Sequence, residues 1–171
     1  MPFGGGEMVP IRGVNHRIVE RPRDRGTAWI EPALGGDKSL PLLCITGERS
    51  HVARRVQDFL MREARRDIEA AVTRHAAKLG VTPRRITLRD TTSRWGSCSS
   101  TGALNFSWRL IMAPSYVLDY LAAHEVAHLV YMNHSPAFWK ILGKLSAHVD
   151  RAEAWLKAHG AGLLRFGPYR A

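Results

Sequence analysis

The chain has 171 residues, enough for one folded domain with a substantial hydrophobic core. Hydrophobic residues make up 45% of it and charged residues 23%, which excludes a disordered or fibrous chain. The formal net charge of +10 at pH 7 predicts a surface that attracts polyanions, so nucleic acid is one partner to consider.

Several features predict a cytoplasmic protein that does not enter a membrane. No run of about 18 apolar residues is present, and the start, MPFGGGEMVPIRGV, lacks the basic and then apolar order of a secretion signal. Cys44 and Cys98 are too few for a disulfide framework and suit a reducing compartment. No pattern predicts an oligomeric state.

Residues 1–48 are predicted to form a strand-rich N-terminal segment of the same domain. Short apolar or alternating pieces, HRIVE, TAWIE and LPLLCIT, lie there between glycines and prolines. The main body of the domain then spans residues 49–171. From Ser50 to Leu79 apolar residues recur at helical spacing and Gly80 follows as a stop, which predicts one long helix or two stacked ones.

A set of arginines lies mostly off the apolar stripe of this helical segment, interleaved with acidic residues: Arg54, Arg55, Arg62, Arg65 and Arg66. We interpret this face as solvent-exposed and carrying ion pairs between residues four apart. The alternative is that nucleic acid binds through this basic surface.

The middle of the chain predicts a hairpin followed by three helices. RRITLRD and GALNFSWRL alternate like strands, with TTSRWGSCSSTG between them. A helix is predicted from Pro114 to Met132, and Asn133 can take the left-handed conformation that ends it. Ser135 can cap a second helix, and a final helix is predicted over residues 150–159, before a glycine. This order is typical of an α+β fold.

The segment HEVAHLVYMNHSPAFW contains a His-Glu-x-x-His pattern, which predicts a metal site. His124 and His128 are four residues apart, so on a helix both imidazoles project from one face and can bind one Zn²⁺. Glu125 lies about 100° round the helix, where it can reach a metal-bound water without binding the metal itself. The pattern therefore predicts Zn²⁺ as the cofactor and Glu125 as the catalytic residue.

The third metal ligand is predicted to be His134. A turn just before it would bring its side chain back toward the ion at little entropic cost. The spacing equals that of the metzincins, but Tyr131 occupies their glycine position, so a metzincin proper is not predicted. Glu153 and His148, on the later helices, are the competing ligands.

Residues 94–139, RWGSCSSTGALNFSWRLIMAPSYVLDYLAAHEVAHLVYMNHSPAFW, resemble the YgjP-like zinc metallopeptidases, within the broader SprT-like group. Weaker similarity begins near residue 40. The resemblance implies a small zincin-like, minimal metallopeptidase fold, in which a short antiparallel sheet packs on the motif helix and on further helices. Typical members carry extra N-terminal strands, so a smaller sheet is expected in this chain. The resemblance also implies the roles of four residues: the zinc ligands His124, His128 and His134, and the general base Glu125.

The implied reaction is hydrolysis of a peptide or protein substrate by a zinc-bound water that Glu125 activates. The strand ALNFSWR could present a free edge to an extended peptide. Its alternative role is an internal strand with Leu104, Phe106 and Trp108 toward the core. Candidates for the oxyanion donor are Tyr131, Tyr120 and Arg109. The residues predicted to contact substrate are Asn105, Phe106, Ser107, Trp108, Arg109 and Tyr131.

Two other functions fit the same residues. The first is a metal-dependent hydrolase of a nucleotide phosphoanhydride, since zinc hydroxide is not confined to peptides and the basic charge suits phosphates. Against it, the chain has no G-x-x-x-x-G-K-[ST] phosphate loop. The second is a DNA-associated SprT-like protease, which would bind DNA in a salt-dependent way.

Overall fold

Short strands and four α-helices follow one another along the described part of the chain. The computed structural model describes residues 3–22, 28–36 and 39–167. The strands are β1 (Met8–Ile11), β2 (Val14–Arg21), β3 (Ala28–Glu31), β4 (Leu42–Thr46), β5 (Arg85–Arg89), β6 (Gly96–Cys98) and β7 (Ala103–Ser107). The helices are α1 (Val52–Leu79), α2 (Ser115–His128), α3 (Pro136–Leu145) and α4 (Val149–Leu163), with 3₁₀ turns at Arg49–His51 and Trp108–Met112. This order confirms the predicted α+β class.

The N-terminal strands form a four-stranded sheet in the order β1-β2-β4-β3. β2 and β4 run parallel, whereas the two outer pairs are antiparallel. The pieces HRIVE, TAWIE and LPLLCIT coincide with β2, β3 and β4, as predicted, although Thr27 lies outside the described residues. The resemblance implies an antiparallel sheet, but this sheet is mixed, because its two central strands, β2 and β4, run parallel to each other.

A tight turn joins β1 to β2 and attaches this sheet to α1. Arg12 and Gly13 occupy the turn with φ of 50° and 78°, as a two-residue hairpin turn requires. The Arg12 guanidinium donates to both carboxylate oxygens of Asp67 at 2.8 and 2.9 Å, and to Glu63 at 3.1 Å. The hydrogen bonds to Asp67 raise the pKa of Arg12, so the cation persists and holds the hairpin against the helix.

The long helix predicted after residue 48 is one continuous helix, α1. Its buried face follows the predicted spacing: Val52, Val56, Phe59, Leu60, Ala64, Ile68, Ala71, Val72 and Ala76. Gly80 ends it in the left-handed conformation, with φ of 65°, as predicted. On the exposed side Arg65 pairs with Glu69 at 2.9 Å, in agreement with a solvated face. Binding of nucleic acid to this face stays a prediction.

The second sheet has three strands in the order β5-β7-β6, so β7 is its central strand. β7 pairs in parallel with β5 and antiparallel with β6. The predicted free edge of ALNFSWR was therefore wrong, because both sides of β7 are hydrogen-bonded. The alternative is what the fold contains: Leu104, Phe106 and Trp108 are buried in the core. β6 is the edge strand that packs against α2.

Helix α2 is buried on nearly all sides, which explains its almost uniformly apolar sequence. It ends at His128, before the predicted end at Met132. Arg12 is the one described non-glycine residue with positive φ, so Asn133 does not end the helix as predicted. The chain instead turns at Tyr131, whose N–H donates to the Ala127 carbonyl at 3.0 Å. Within the described ranges no helix has the length and apolarity needed to cross a membrane.

Helices α3 and α4 complete the fold around α2. The Ser135 hydroxyl accepts a hydrogen bond from the Phe138 N–H at 3.3 Å, the predicted cap of α3. α4 continues through Gly160, where a stop was predicted. A Cβ at Gly160 would lie 3.2 Å from the ring of Trp95, so this glycine lets α4 pack closely against Trp95 and does not end the helix.

Candidate metal centre

Helix α2 and the turn that follows it bring three imidazoles together. His124 and His128 lie one turn apart on α2, and His134 follows in the turn before α3. Their nitrogen ligand atoms all lie within 4.8 Å of one another. Two nitrogens that bind one zinc at about 2.0–2.1 Å each are at most about 4.2 Å apart, so small side-chain rotations would close the three rings on one ion.

Aromatic packing orients the two imidazoles that face the turn. The His128 ring stacks on Phe138, with centroids 4.4 Å apart and an interplanar angle of 25°. The His134 ring stacks on Trp139, with centroids 5.7 Å apart and an angle of 27°. Because the cap at Ser135 starts α3 directly after His134, the helix that supplies both aromatic rings also fixes the third imidazole.

A backbone carbonyl sets the tautomer of His128. The Nδ1 of His128 lies 2.9 Å from the Tyr131 carbonyl, which can only accept, so Nδ1 carries the proton and Nε2 is available as a ligand. Burial lowers the pKa of His128, although the carbonyl acts in the opposite direction. The ring is therefore neutral at pH 7, as a metal ligand must be.

The carboxylate of Glu125 is buried beside His124. Its Oε1 accepts a hydrogen bond from His124 Nδ1 at 2.7 Å, which leaves His124 Nε2 available as a ligand. Only 3% of Glu125 is exposed, and its Oε2 is buried with no hydrogen-bond partner among the residues that the structure describes. A buried polar atom without a partner carries a desolvation cost, which is typical of groups retained for chemistry.

The edge strand β6 lies directly against this carboxylate. A Cβ at Gly96 would be 3.1 Å from Cγ of Glu125 and 3.3 Å from the Asn105 carbonyl oxygen. Partial burial raises the pKa of the nearby Cys98 thiol to about 11, and the charge of Glu125 adds to this. Cys98 is thus a neutral thiol at pH 7. Because residue 96 is a glycine, β6 can approach Glu125 closely.

The comparisons with known proteins assign the chain to a family. The model of the YgjP-like metallopeptidase domain matches residues 1–159. The chain belongs to the YgjP-like metallopeptidase family. The matched residues include the N-terminal sheet, well before the point near residue 40 where the sequence resemblance begins. As a YgjP-like metallopeptidase, the chain is in a class that hydrolyses peptide bonds with a divalent metal.

No curated protein matches this YgjP-like chain. Among solved structures, it is similar to the metallopeptidase zymogen of Pyrococcus abyssi abylysin, with a TM-score of 0.48 and 19% sequence identity. That similarity covers 59% of this chain and 99% of the abylysin chain.

A cleft of about 310 Å³ opens beside His124 and Glu125 of the YgjP-like chain. It is lined by residues of α2, α4, the start of β6 and the segment before it: Arg94, Trp95, Gly96, Tyr120, Leu121, His124, Glu125, Glu153 and Leu156. The Tyr120 hydroxyl donates to Glu153 at 2.8 Å, and its ring lies 5.8 Å from that of His124. Burial raises the pKa of Tyr120, and Glu153 raises it further, so this hydroxyl stays protonated.

The competing ligands do not join the cluster of three imidazoles. Glu153 lines the cleft but accepts the Tyr120 hydroxyl, and the His148 ring packs against Tyr116, 5.9 Å away, in a different pocket. Arg109, a candidate oxyanion donor, is buried and pairs with Asp90 and the Phe166 carbonyl. It does not line the cleft that contains Glu125.

Most of the residues predicted to contact substrate lie in the core. Phe106, Ser107, Trp108 and Arg109 are buried, and of these only Phe106 and Ser107 line a described pocket near the site, so burial conflicts with the predicted role of Trp108 and Arg109. The reason is that β7 is internal, and the 3₁₀ turn after it continues into the core. Tyr131 is 38% exposed at the rim of the metal site. Asn105 is half-buried and lines a separate pocket: Arg89, Thr91, Ser93, Arg94, Trp95, Gly96, Ser97, Asn105, Phe106 and Ser107.

Replacing Gly96 with alanine is expected to slow catalysis without releasing the metal. The added methyl group would press on Glu125 and shift its carboxylate by a few tenths of an ångström. We expect kcat to fall about tenfold, because catalytic groups tolerate little misplacement. The matched control is Gly143→Ala on α3, where nothing lies within 4 Å of the new methyl group. An unchanged rate in Gly96→Ala, or a loss of metal together with activity, would contradict this role.

Proposed function

We propose that the chain is a zinc-dependent peptidase in which His124, His128 and His134 hold the metal and Glu125 is the general base. One observation carries the proposal. Three imidazoles with ligand atoms within 4.8 Å of one another lie beside a buried carboxylate oxygen that has no hydrogen-bond partner in the described part of the chain. A purely structural cluster would leave no reason to bury that oxygen unpaired.

The donor set suits zinc better than other common divalent metals. Three neutral imidazoles and one open position form a typical catalytic zinc site, whereas calcium and magnesium prefer oxygen ligands. The hydrogen bond from His128 to the Tyr131 carbonyl provides the outer contact that such ligands normally have. A bound zinc would lower the pKa of its coordinated water toward about 7 and polarise the substrate carbonyl.

Glu125 supplies the proton transfers in this proposal. Within the described ranges its Oε2 accepts no hydrogen bond, so it can take a proton from the attacking water and then deliver that proton to the nitrogen of the leaving amine. The hydrogen bond from His124 holds the other oxygen in place. Tyr120, protonated and beside His124, is the one of the three candidates for stabilising the oxyanion that lines the cleft with Glu125.

The edge strand β6 offers a binding mode for an extended peptide. β6 pairs with β7 on one side, and no strand within the described ranges covers its other side. A peptide added to that edge would lie beside Gly96, whose position directly against Glu125 places the peptide backbone near the base. This geometry favours a peptide over a compact small molecule as the substrate.

Metal removal tests the proposal directly. The purified chain should contain one zinc and should cleave an unstructured protein such as casein. Dialysis against a chelator should abolish cleavage, and added zinc should restore it. Without the metal, no Lewis acid would be present to activate the water and polarise the substrate carbonyl. Cleavage that survives removal of the metal would contradict the proposal. Hydrolysis of a nucleotide but of no peptide would favour the phosphoanhydride alternative.

A further inference from the structure

A second pocket, of about 370 Å³, lies on the outer face of the three-stranded sheet, and the proposed chemistry does not use it. We call it the outer pocket. Its polar lining consists of two arginines, four residues with hydroxyl groups and one amide: Arg89, Arg94, Thr91, Ser93, Ser97, Ser107 and Asn105. None of the described residues that line it is acidic. Arginines elsewhere, such as Arg12 and Arg65, pair with carboxylates, whereas the described lining of this pocket supplies no negative charge.

The two arginines of the outer pocket differ in how they are held. The Arg89 guanidinium donates to the Asn105 side-chain oxygen at 3.2 Å, so a neutral group orients it and leaves its charge intact. Arg94 follows a loop closed by the Thr91 hydroxyl, which donates to the Arg94 carbonyl at 2.6 Å. Its guanidinium forms no hydrogen bond or ion pair with the part of the chain that the structure describes. Both cations are therefore available to an external anion.

The outer pocket adjoins the metal cleft across the edge strand. Arg94, Trp95 and Gly96 line both cavities. Successive residues of β6 face opposite sides of the sheet, since Gly96 faces Glu125 while Ser97 lines the outer pocket. A peptide strand paired with β6 would continue this pleat. Its side chains would point alternately toward the metal cleft and toward the outer pocket.

We propose that the outer pocket selects an acidic side chain of an extended peptide bound along β6. The inference rests on the proposed peptidase function and adds a substrate class to it. A glutamate there would meet two arginines and neutral hydroxyl groups, whereas a lysine would meet two like charges, so the pocket both favours one substrate and rejects another. The net charge of +10 would also steer acidic peptides toward the protein.

A glutamate scan tests the proposal by binding, separately from catalysis. The zinc-loaded Glu125→Gln variant is titrated with labelled peptides in which one glutamate is moved along a neutral sequence, each paired with its glutamine counterpart. We expect about tenfold tighter binding of the glutamate peptide, the size of one charge-assisted hydrogen bond, and only at alternate positions. The added substitutions Arg89→Gln and Arg94→Gln should remove this preference, and lysine at the same positions should weaken binding.

The matched control is Arg54→Gln, which removes one exposed positive charge from α1, away from the pocket. It should keep the preference, which separates a local contact from the overall charge. Equal affinity for glutamate and glutamine peptides, including no measurable affinity for either, would overturn the proposal. The proposal would also be overturned if inorganic phosphate, at concentrations too low to change the ionic strength, abolished the preference for glutamate. The outer pocket would then be a phosphate-binding site. Selective binding without cleavage by the wild type would contradict the peptidase function alone.

Discussion

Replacing Glu125 with glutamine is expected to abolish peptide hydrolysis while the protein keeps its zinc. The amide has nearly the same shape and can still accept the hydrogen bond from His124, so the imidazole cluster should persist. It cannot take a proton from water, and the loss of a general base lowers rates by about 10²–10⁴-fold. The measurement is kcat on a fluorogenic peptide, with metal content determined on the same samples.

A matched control separates this effect from a general loss of charge. Glu69→Gln removes an exposed carboxylate from α1, where it pairs with Arg65, and should leave the rate unchanged. Near-wild-type activity in Glu125→Gln would remove Glu125 from the role of base. Loss of zinc from Glu125→Gln would instead indicate that the Glu125 carboxylate is a metal ligand.

The substitution His134→Ala is expected to release the zinc. Contacts outside the ligand sphere already change metal affinity by about 10–100-fold, so the loss of a direct ligand should weaken binding by about 100-fold or more. The fold should persist, because His134 is exposed and the cap of α3 is provided by Ser135. Competition with a chromogenic chelator measures the affinity, and circular dichroism checks the fold.

His148→Ala is the control for that experiment, because its ring packs against Tyr116 in a different pocket. It should bind zinc like the wild type. If His134→Ala retained zinc while His148→Ala or Glu153→Ala lost it, the third ligand would come from the later helices. The site would then require α4 to approach α2 more closely than it does here.

The part of the site that depends on local spacing could be predicted from the sequence. Residues four apart on a helix share a face, so the pattern His-Glu-x-x-His places His124 and His128 together without knowledge of the rest of the fold. The start of α3 can also be predicted from neighbouring residues alone, because a serine followed by a proline is typical of a helix N-terminus. These two signals together bring His134 to the other imidazoles.

The pairing of strands could not be predicted in the same way. An alternating sequence such as ALNFSWR has one buried face whether it is central or at an edge, so the pattern does not decide its position. The three residues of β6 are too few to show any periodicity, yet β6 is the edge strand that lies against Glu125. Gly96 gave no signal either, because its role depends on Glu125, which lies far away in sequence.

The end of α2 shows a similar limit. Its apolar sequence continues past His128, and no breaker marks the end of the helix. The helix ends where the His128 ring takes the Tyr131 carbonyl as its hydrogen-bond partner. The contact that orients this imidazole thus coincides with the end of the helix, and periodicity alone cannot reveal it.

The rings of Phe3 and Phe166 stack with centroids 6.2 Å apart, and Phe3 also contacts the ring of Trp108. Residues from opposite ends of the described chain thus meet over the turn that follows the central strand β7. A covalent cross-link between positions 3 and 166 would therefore bridge a short distance and, because it would close a long loop, would restrict the unfolded chain.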